Sequence, residues 1–265
     1  MIKSKINLIA FAVILILISC EPPKKQEEAN PIEEKAPLTP FEKSLDFHGG
    51  LDNWNSFGTL KFNRISQGGV AAHVIDLKNR NEIIKSEKST LAFGSEGYWT
   101  DGLKSDEAEK LEGMRFQRNL WFYFFSLPFV TTDPGANQEQ LTDGVLSGKE
   151  YNRVKITFGE NVGDAPDDQY ILWLNKESRK LEMINYSVTY YSGKEASENY
   201  NAIVFTEWQE ANGLTVPKKF DGYKWSADTL GELRYQFEFG NVSFEKDRPA
   251  DDLFTAPENV AYLTY

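Results

Sequence analysis

Reactive side chains are sparse in this chain: it has one cysteine, Cys20, and two histidines, His48 and His73. His48 stands before Gly49-Gly50 at the end of a short helical pattern, where an imidazole commonly meets the last carbonyls of a helix. His73 falls in an extended segment beside Ala71-Ala72. Neither has the spacing of a zinc-binding His pair, and no nucleophile elbow or glycine-rich phosphate loop occurs. Carboxylates are plentiful, but a glycosidase-type pair is defined by geometry, which sequence alone does not supply. Asp164, Asp167 and Asp168 form an acidic loop in which Ala165-Pro166 breaks any calcium-loop pattern, so they read as a solvated turn. These residues predict a protein that is not an enzyme and has no cofactor and no metal site.

Cys20 has a different setting. Lys3 and Lys5 precede an apolar run from Leu8 to Ile18, the charged and hydrophobic regions of an export signal. That run falls short of the roughly 20 apolar residues of an ordinary membrane span. It ends in Leu17-Ile18-Ser19-Cys20, which resembles the bacterial lipobox. The resemblance implies cleavage after residue 19, a diacylglycerol on the Cys20 thiol and an acyl chain such as palmitate on its new amine. Two or three chains anchor stably where one would not. As the sole cysteine, Cys20 has no disulfide partner within the chain. Residues 21–40 hold five prolines and eight charged residues, the composition of a semi-extended tether. The expected organisation is a signal peptide over 1–19, a lipidated cysteine and tether over 20–40, and one domain over 41–265. The expected location is the bacterial envelope, on the outer membrane and facing the periplasm.

The formal net charge of −11 becomes about −13 once Lys3 and Lys5 are lost. Such a balance opposes nonspecific nucleic-acid binding, which needs basic surface. Within the domain, Thr39-Pro40-Phe41-Glu42 has the residues of a capping box that opens a short helix. A second turn around Asp52–Asn55 carries Trp54 inward. Alternating apolar and polar residues then mark strands from Gly58 to Asp101 and again from Glu150 to Glu245. Between these blocks, residues 105–126 read as one long helix. Its second half, Asn119-Leu120-Trp121-Phe122-Tyr123-Phe124-Phe125, has no polar face and must be covered on nearly all sides. The total is about eleven strands and one principal helix in a mainly β domain expected to be a monomer.

Several segments carry a family resemblance. Tyr170-Ile171-Leu172-Trp173-Leu174-Asn175-Lys176 looks like a strand ending in an Asn-Lys turn, followed by Lys180–Ile184. Phe205–Trp208 leads through Gly213-Leu214-Thr215-Val216-Pro217 to a further strand. In this order the chain resembles the LolA/LolB type of lipoprotein-sorting proteins. Leu127-Pro128-Phe129 and Asp133-Pro134-Gly135 resemble the same region of uncharacterised Bacteroidota lipoproteins. The resemblance implies a half-open, strongly curved antiparallel β-barrel under a helical lid, enclosing an apolar cavity for acyl chains. It also implies a buried arginine that latches the lid, and it leaves Arg115 and Arg118 both open for that role. The expected cavity wall is Trp121, Phe122, Phe124 and Phe125, with Phe116, Met114 and Trp99 nearby. Trp173, Trp208 and Met183 read more readily as core. The expected function is non-catalytic binding of a lipid, acyl chain or lipoprotein. The alternative is a structural or protein-interaction envelope lipoprotein with no small ligand and a filled core.

Overall fold

The computed structural model describes residues 37–265 apart from 112 and 161. The signal-type segment, Cys20 and most of the tether therefore lie outside the described residues. Two short helices come first, α1 (Pro40–Phe47) and α2 (Leu51–Asn55). The capping box forms: Thr39 Oγ1 accepts from the Glu42 backbone N–H, while the Glu42 carboxylate accepts from the Thr39 N–H. Trp54 of α2 is buried and stacks on Phe129 at 4.8 Å between ring centroids. Gly49, at φ 105°, passes so close to the Gly213 carbonyl that a Cβ would lie 2.3 Å from it. That approach packs the end of α1 against the turn at 212–213.

Five strands follow: β1 (Thr59–Ser66), β2 (Gly69–Asp76), β3 (Glu82–Ser86), β4 (Thr90–Phe93) and β5 (Gly97–Thr100). After a 3-10 segment at Ser105–Leu111 and the helix α3 (Met114–Ser126), seven more run in sequence. They are β6 (Ala136–Leu146), β7 (Lys149–Phe158), β8 (Tyr170–Asn175), β9 (Leu181–Tyr186), β10 (Asn201–Ala211), β11 (Leu214–Ser226) and β12 (Thr229–Glu245). A last short strand, β13 (Ala261–Thr264), closes the list. All thirteen join one antiparallel sheet in the order β13-β5-β4-β3-β2-β1-β12-β11-β10-β9-β8-β7-β6. The pairing of β1 with β12 brings the two sequence blocks side by side, with Leu60 opposite Phe244 and Arg64 opposite Phe239.

This topology corrects the expected half-open, strongly curved barrel of about eleven strands. The sheet is open and linear. β13 pairs with β5 and β6 pairs with β7, and these two terminal strands do not pair with each other as closure would require. Two strands had no sequence signal. β6 is polar along most of its length, because an edge strand can be wet on both faces. β13 has only four residues.

The long helix expected over 105–126 is also divided. Gly113 adopts the left-handed conformation at φ 82°, open to glycine at little cost, and ends the 3-10 segment before α3 begins. Within the second strand block, β9 stops at Tyr186. There the buried Asp168 carboxylate accepts from the Thr189 backbone N–H at 2.6 Å and its hydroxyl at 2.7 Å, drawing the chain out of the ladder.

Candidate functional site

The seam between α3 and the sheet is where the sequence concentrates its aromatic residues. Phe124 and Phe125 are 0 % exposed. Phe125 stacks on Phe62 of β1 at 4.7 Å and meets Phe239 of β12 edge-on at 5.0 Å. Phe124 meets Tyr186 of β9 at 4.9 Å and Phe220 of β11 at 5.9 Å. Trp121 is half-buried against Phe237 at 4.3 Å, and the Arg64 guanidinium lies 5.0 Å from its ring. Tyr123 faces Phe158 and Tyr170 on the opposite flank. Phe122, Phe124 and Phe125 are thus buried in the core, while Leu120, Trp121 and Tyr123 pack against it partly buried. Burying a phenylalanine contributes about 1.5–3 kcal/mol, and good ring pairs add about 0.5–1.5 kcal/mol. The seam is a strong packing joint.

The void beside it is small. A pocket of 60 Å³ lies between α3 and Tyr170, walled by Phe116, Leu120, Tyr123 and Phe158. Sites for drug-sized ligands hold about 300–1,000 Å³.

Of the remaining expected site residues, Phe122 joins this seam and the other three do not. Phe122 belongs to the main core cluster, and the Arg80 guanidinium sits 4.4 Å from its ring. Phe116 stacks on Tyr190 at 4.7 Å at the start of the helix. Met114 packs with the cluster around Phe93, Tyr98 and Leu111. Trp99 lies in a separate cluster with Ile83 and Phe254, and its indole N–H donates to the Phe254 carbonyl at 2.9 Å. Trp121, Phe122, Phe124 and Phe125 therefore share one interface, while Phe116, Met114 and Trp99 lie in other surroundings. Cys20 lies outside the described residues.

A charged group crosses the seam. Arg118, 9 % exposed, directs its Nε to Glu82 Oε2 of β3 at 2.9 Å and its Nη1 to Asn119 Oδ1 at 2.7 Å. The other Glu82 oxygen accepts from His73 Nδ1 of β2 at 2.6 Å, since a carboxylate can only accept. His73 also stacks on Phe62 at 4.6 Å. Of the two arginines left open, Arg118 is the buried one that ties helix to sheet. Arg115 is 40 % exposed and pairs with Asp164. Sequence patterning places Glu82 in an extended segment and carries no sign of its partners, which come from β2 and from α3.

His48 also differs from its expected role. Its ring is wholly buried, with Nδ1 donating to the Thr215 carbonyl at 2.8 Å and Nε2 accepting the Leu181 backbone N–H at 3.2 Å. Burial lowers its pKa to about 4, with Lys180 adding to the shift and the Thr215 hydrogen bond opposing it. It joins β9 to β11 where terminal helix carbonyls were expected. The acidic loop is not simply solvated either: Asp168 is 5 % exposed, and burial raises its pKa against the two Thr189 hydrogen bonds. Among the described residues, no three His, Cys, Asp or Glu side chains are grouped to hold a metal ion.

The fold is thus an open antiparallel sheet with one aromatic helix packed on it. Over residues 103–226 the sequence matches DUF6503, a family of unknown function. No curated protein matches the chain. Among solved structures it is similar to a DUF1329 family protein from Desulfovibrio piger, at 10 % identity and a TM-score of 0.47, covering 82 % of this chain and 98 % of that one. A LolA superfamily protein from Nitrosomonas europaea is 11 % identical with a TM-score of 0.43, covering 75 % and 88 %. A domain of a proposed outer membrane lipoprotein-sorting protein from Vibrio parahaemolyticus is 7 % identical with a TM-score of 0.41, covering 80 % and 96 %. The similarity to LolA-type proteins is distant, and nothing about ligand or partner passes across it.

Proposed function

We propose that this is a non-catalytic envelope lipoprotein, anchored by acyl chains on Cys20, that serves as a structural or protein-interaction module and encloses no acyl chain. One observation carries this reading: the helix–sheet seam is filled by its own side chains, with Phe124 and Phe125 fully buried between α3 and β1, β9, β11 and β12. An acyl chain entering there would have to displace rings already packed at interior density. The export signal and lipobox resemblance support the envelope location. The segments Leu127–Phe129 and Asp133–Gly135 support a kinship with Bacteroidota lipoproteins.

Titration with a fluorescent fatty acid tests the filled seam. The expected result is no saturable rise in emission and no blue shift. Saturable uptake at one equivalent, abolished by Phe124→Glu, would overturn the reading in favour of an acyl-binding interior.

A further inference from the structure

The Arg64 guanidinium stands beside the helix–sheet seam, on the α3 side of β1 and two residues beyond Phe62. It lies over the rings of Trp121 from α3 and Phe237 from β12, at 5.0 and 5.6 Å. Those two rings are 4.3 Å apart, and Tyr235 continues the row at 5.6 Å from Phe237. The guanidinium therefore rests on one platform of three half-buried rings. Arg80, Arg115 and Arg118 are each neutralised within the chain, by Asp133, Asp164 and Glu82. Arg64 is different. Among the described residues it has no ion pair and no hydrogen bond: its Nε is buried without a partner, and its two terminal nitrogens are neither bonded nor buried. Burial lowers its pKa and Glu82 opposes the shift, yet Glu82 already holds Arg118 and His73. An arginine keeps its proton all the same. Arg64 and Arg118 against Glu82 leave one net positive charge, before any on His73.

We propose that Arg64 anchors a protein-docking surface, where it receives one aspartate or glutamate side chain that the partner protein carries among apolar residues. The open edge of the guanidinium, its two terminal nitrogens, matches the two oxygens of a carboxylate. The ring platform holds the guanidinium plane, so little side-chain entropy is left to lose on docking. Arginine beside half-buried tryptophan and tyrosine is also the composition of an interface hot spot. The rest of the chain selects the setting of that carboxylate. A formal charge of −11 repels an acidic run or an anionic membrane surface, so the local cation suits a single carboxylate flanked by apolar side chains that cover the rings. A phosphate dianion would outweigh the one free charge.

This inference rests on the protein-interaction reading of the domain and names the chemistry of its partner. Titration of the 15N-labelled full-length chain in detergent with the peptide Ac-Leu-Glu-Leu-NH2 tests it, with the arginine Nε–H signals followed by NMR. The Arg64 signal is expected to shift saturably, with a dissociation constant of about 10 mM or tighter. The signals of Arg80 and Arg118 should stay in place, because their guanidinium groups already hold carboxylates. Ac-Leu-Gln-Leu-NH2, which lacks the charge, is expected to bind about tenfold more weakly or worse. In Arg64→Gln the peptide should no longer move the Trp121 indole N–H. If that variant fails to fold, the contrast between Arg64 and the paired arginines in the unaltered protein decides. No saturable shift at Arg64, equal shifts at the paired arginines, or equally tight binding of the glutamine peptide would overturn the proposal. Dimethyl phosphate binding as tightly as the glutamate peptide would overturn it in favour of a lipid headgroup. Hexanoate separates this claim from the reading it rests on. Hexanoate shifts that reach the Phe124 and Phe125 amides would mean acyl entry into the seam and overturn both, whereas failure of the peptide with those amides unmoved overturns this proposal alone.

Discussion

His48 shows how much one buried side chain can contribute to this domain. Leu181 and Thr215 lie far apart in sequence, and the neutral imidazole satisfies a backbone group of each. Its pKa is lowered from 6.5 to about 4, so between those values the unfolded chain binds a proton that the folded chain refuses. Stability from this group is complete above about pH 6.5 and falls as the pH drops toward 4, by about 3 kcal/mol at 1.36 kcal/mol per unit. Chemical denaturation at pH 7, 5.5 and 4 checks this. The wild type should lose stability steadily, and His48→Gln should be less stable at pH 7 with a shallower decline. Parallel slopes for the two proteins would remove His48 as the source. His48 was visible in sequence as a helix-end residue. Its partners were not, because the register bringing Leu181 and Thr215 together depends on three separate strands.

At the level of elements, the joint between α3 and the sheet combines ring packing with one buried charge cluster. Removing Arg118 leaves the buried Glu82 carboxylate without its cationic partner and with the His73 hydrogen bond still in place, and breaking a buried charge pair in this way costs about 3–5 kcal/mol. Thermal melts should therefore show Arg118→Met strongly destabilised. The double variant Arg118→Met with Glu82→Gln should recover part of the loss, because no buried carboxylate is then stranded. A double variant as unstable as the sum of the two single changes would mean that the pair is not coupled. The sequence made α3 legible through Trp121–Phe125, which required cover on nearly all sides; the structure buries Phe122, Phe124 and Phe125 and covers Trp121 and Tyr123 in part. Its start was misread because the acidic segment from Ser105 has helical composition while Gly113 interrupts it. The polar edge strand β6 gave no alternation to read, and its place is set by pairing with β7 alone.

For the whole molecule, the decisive difference lies between a sheet that wraps a cavity and a sheet that packs against its own helix. Strand positions were largely readable from alternation, and from the hairpins at Asn175–Lys180 and Ala211–Leu214. Closure was not readable, since it depends on whether the first and last strands of the order meet, and here β13 and β6 remain edges. Whether an aromatic helix lines a cavity or fills it was equally hidden, because both arrangements require the same residues. On the proposed reading, a domain filled in this way carries no lipid cargo. Native mass spectrometry of residues 38–265, purified gently from cells with an intact envelope, tests this most directly. The account predicts a single mass equal to that of the polypeptide. A bound acyl species that is released on denaturation and disappears when Phe124 and Phe125 are replaced by glutamate would contradict it.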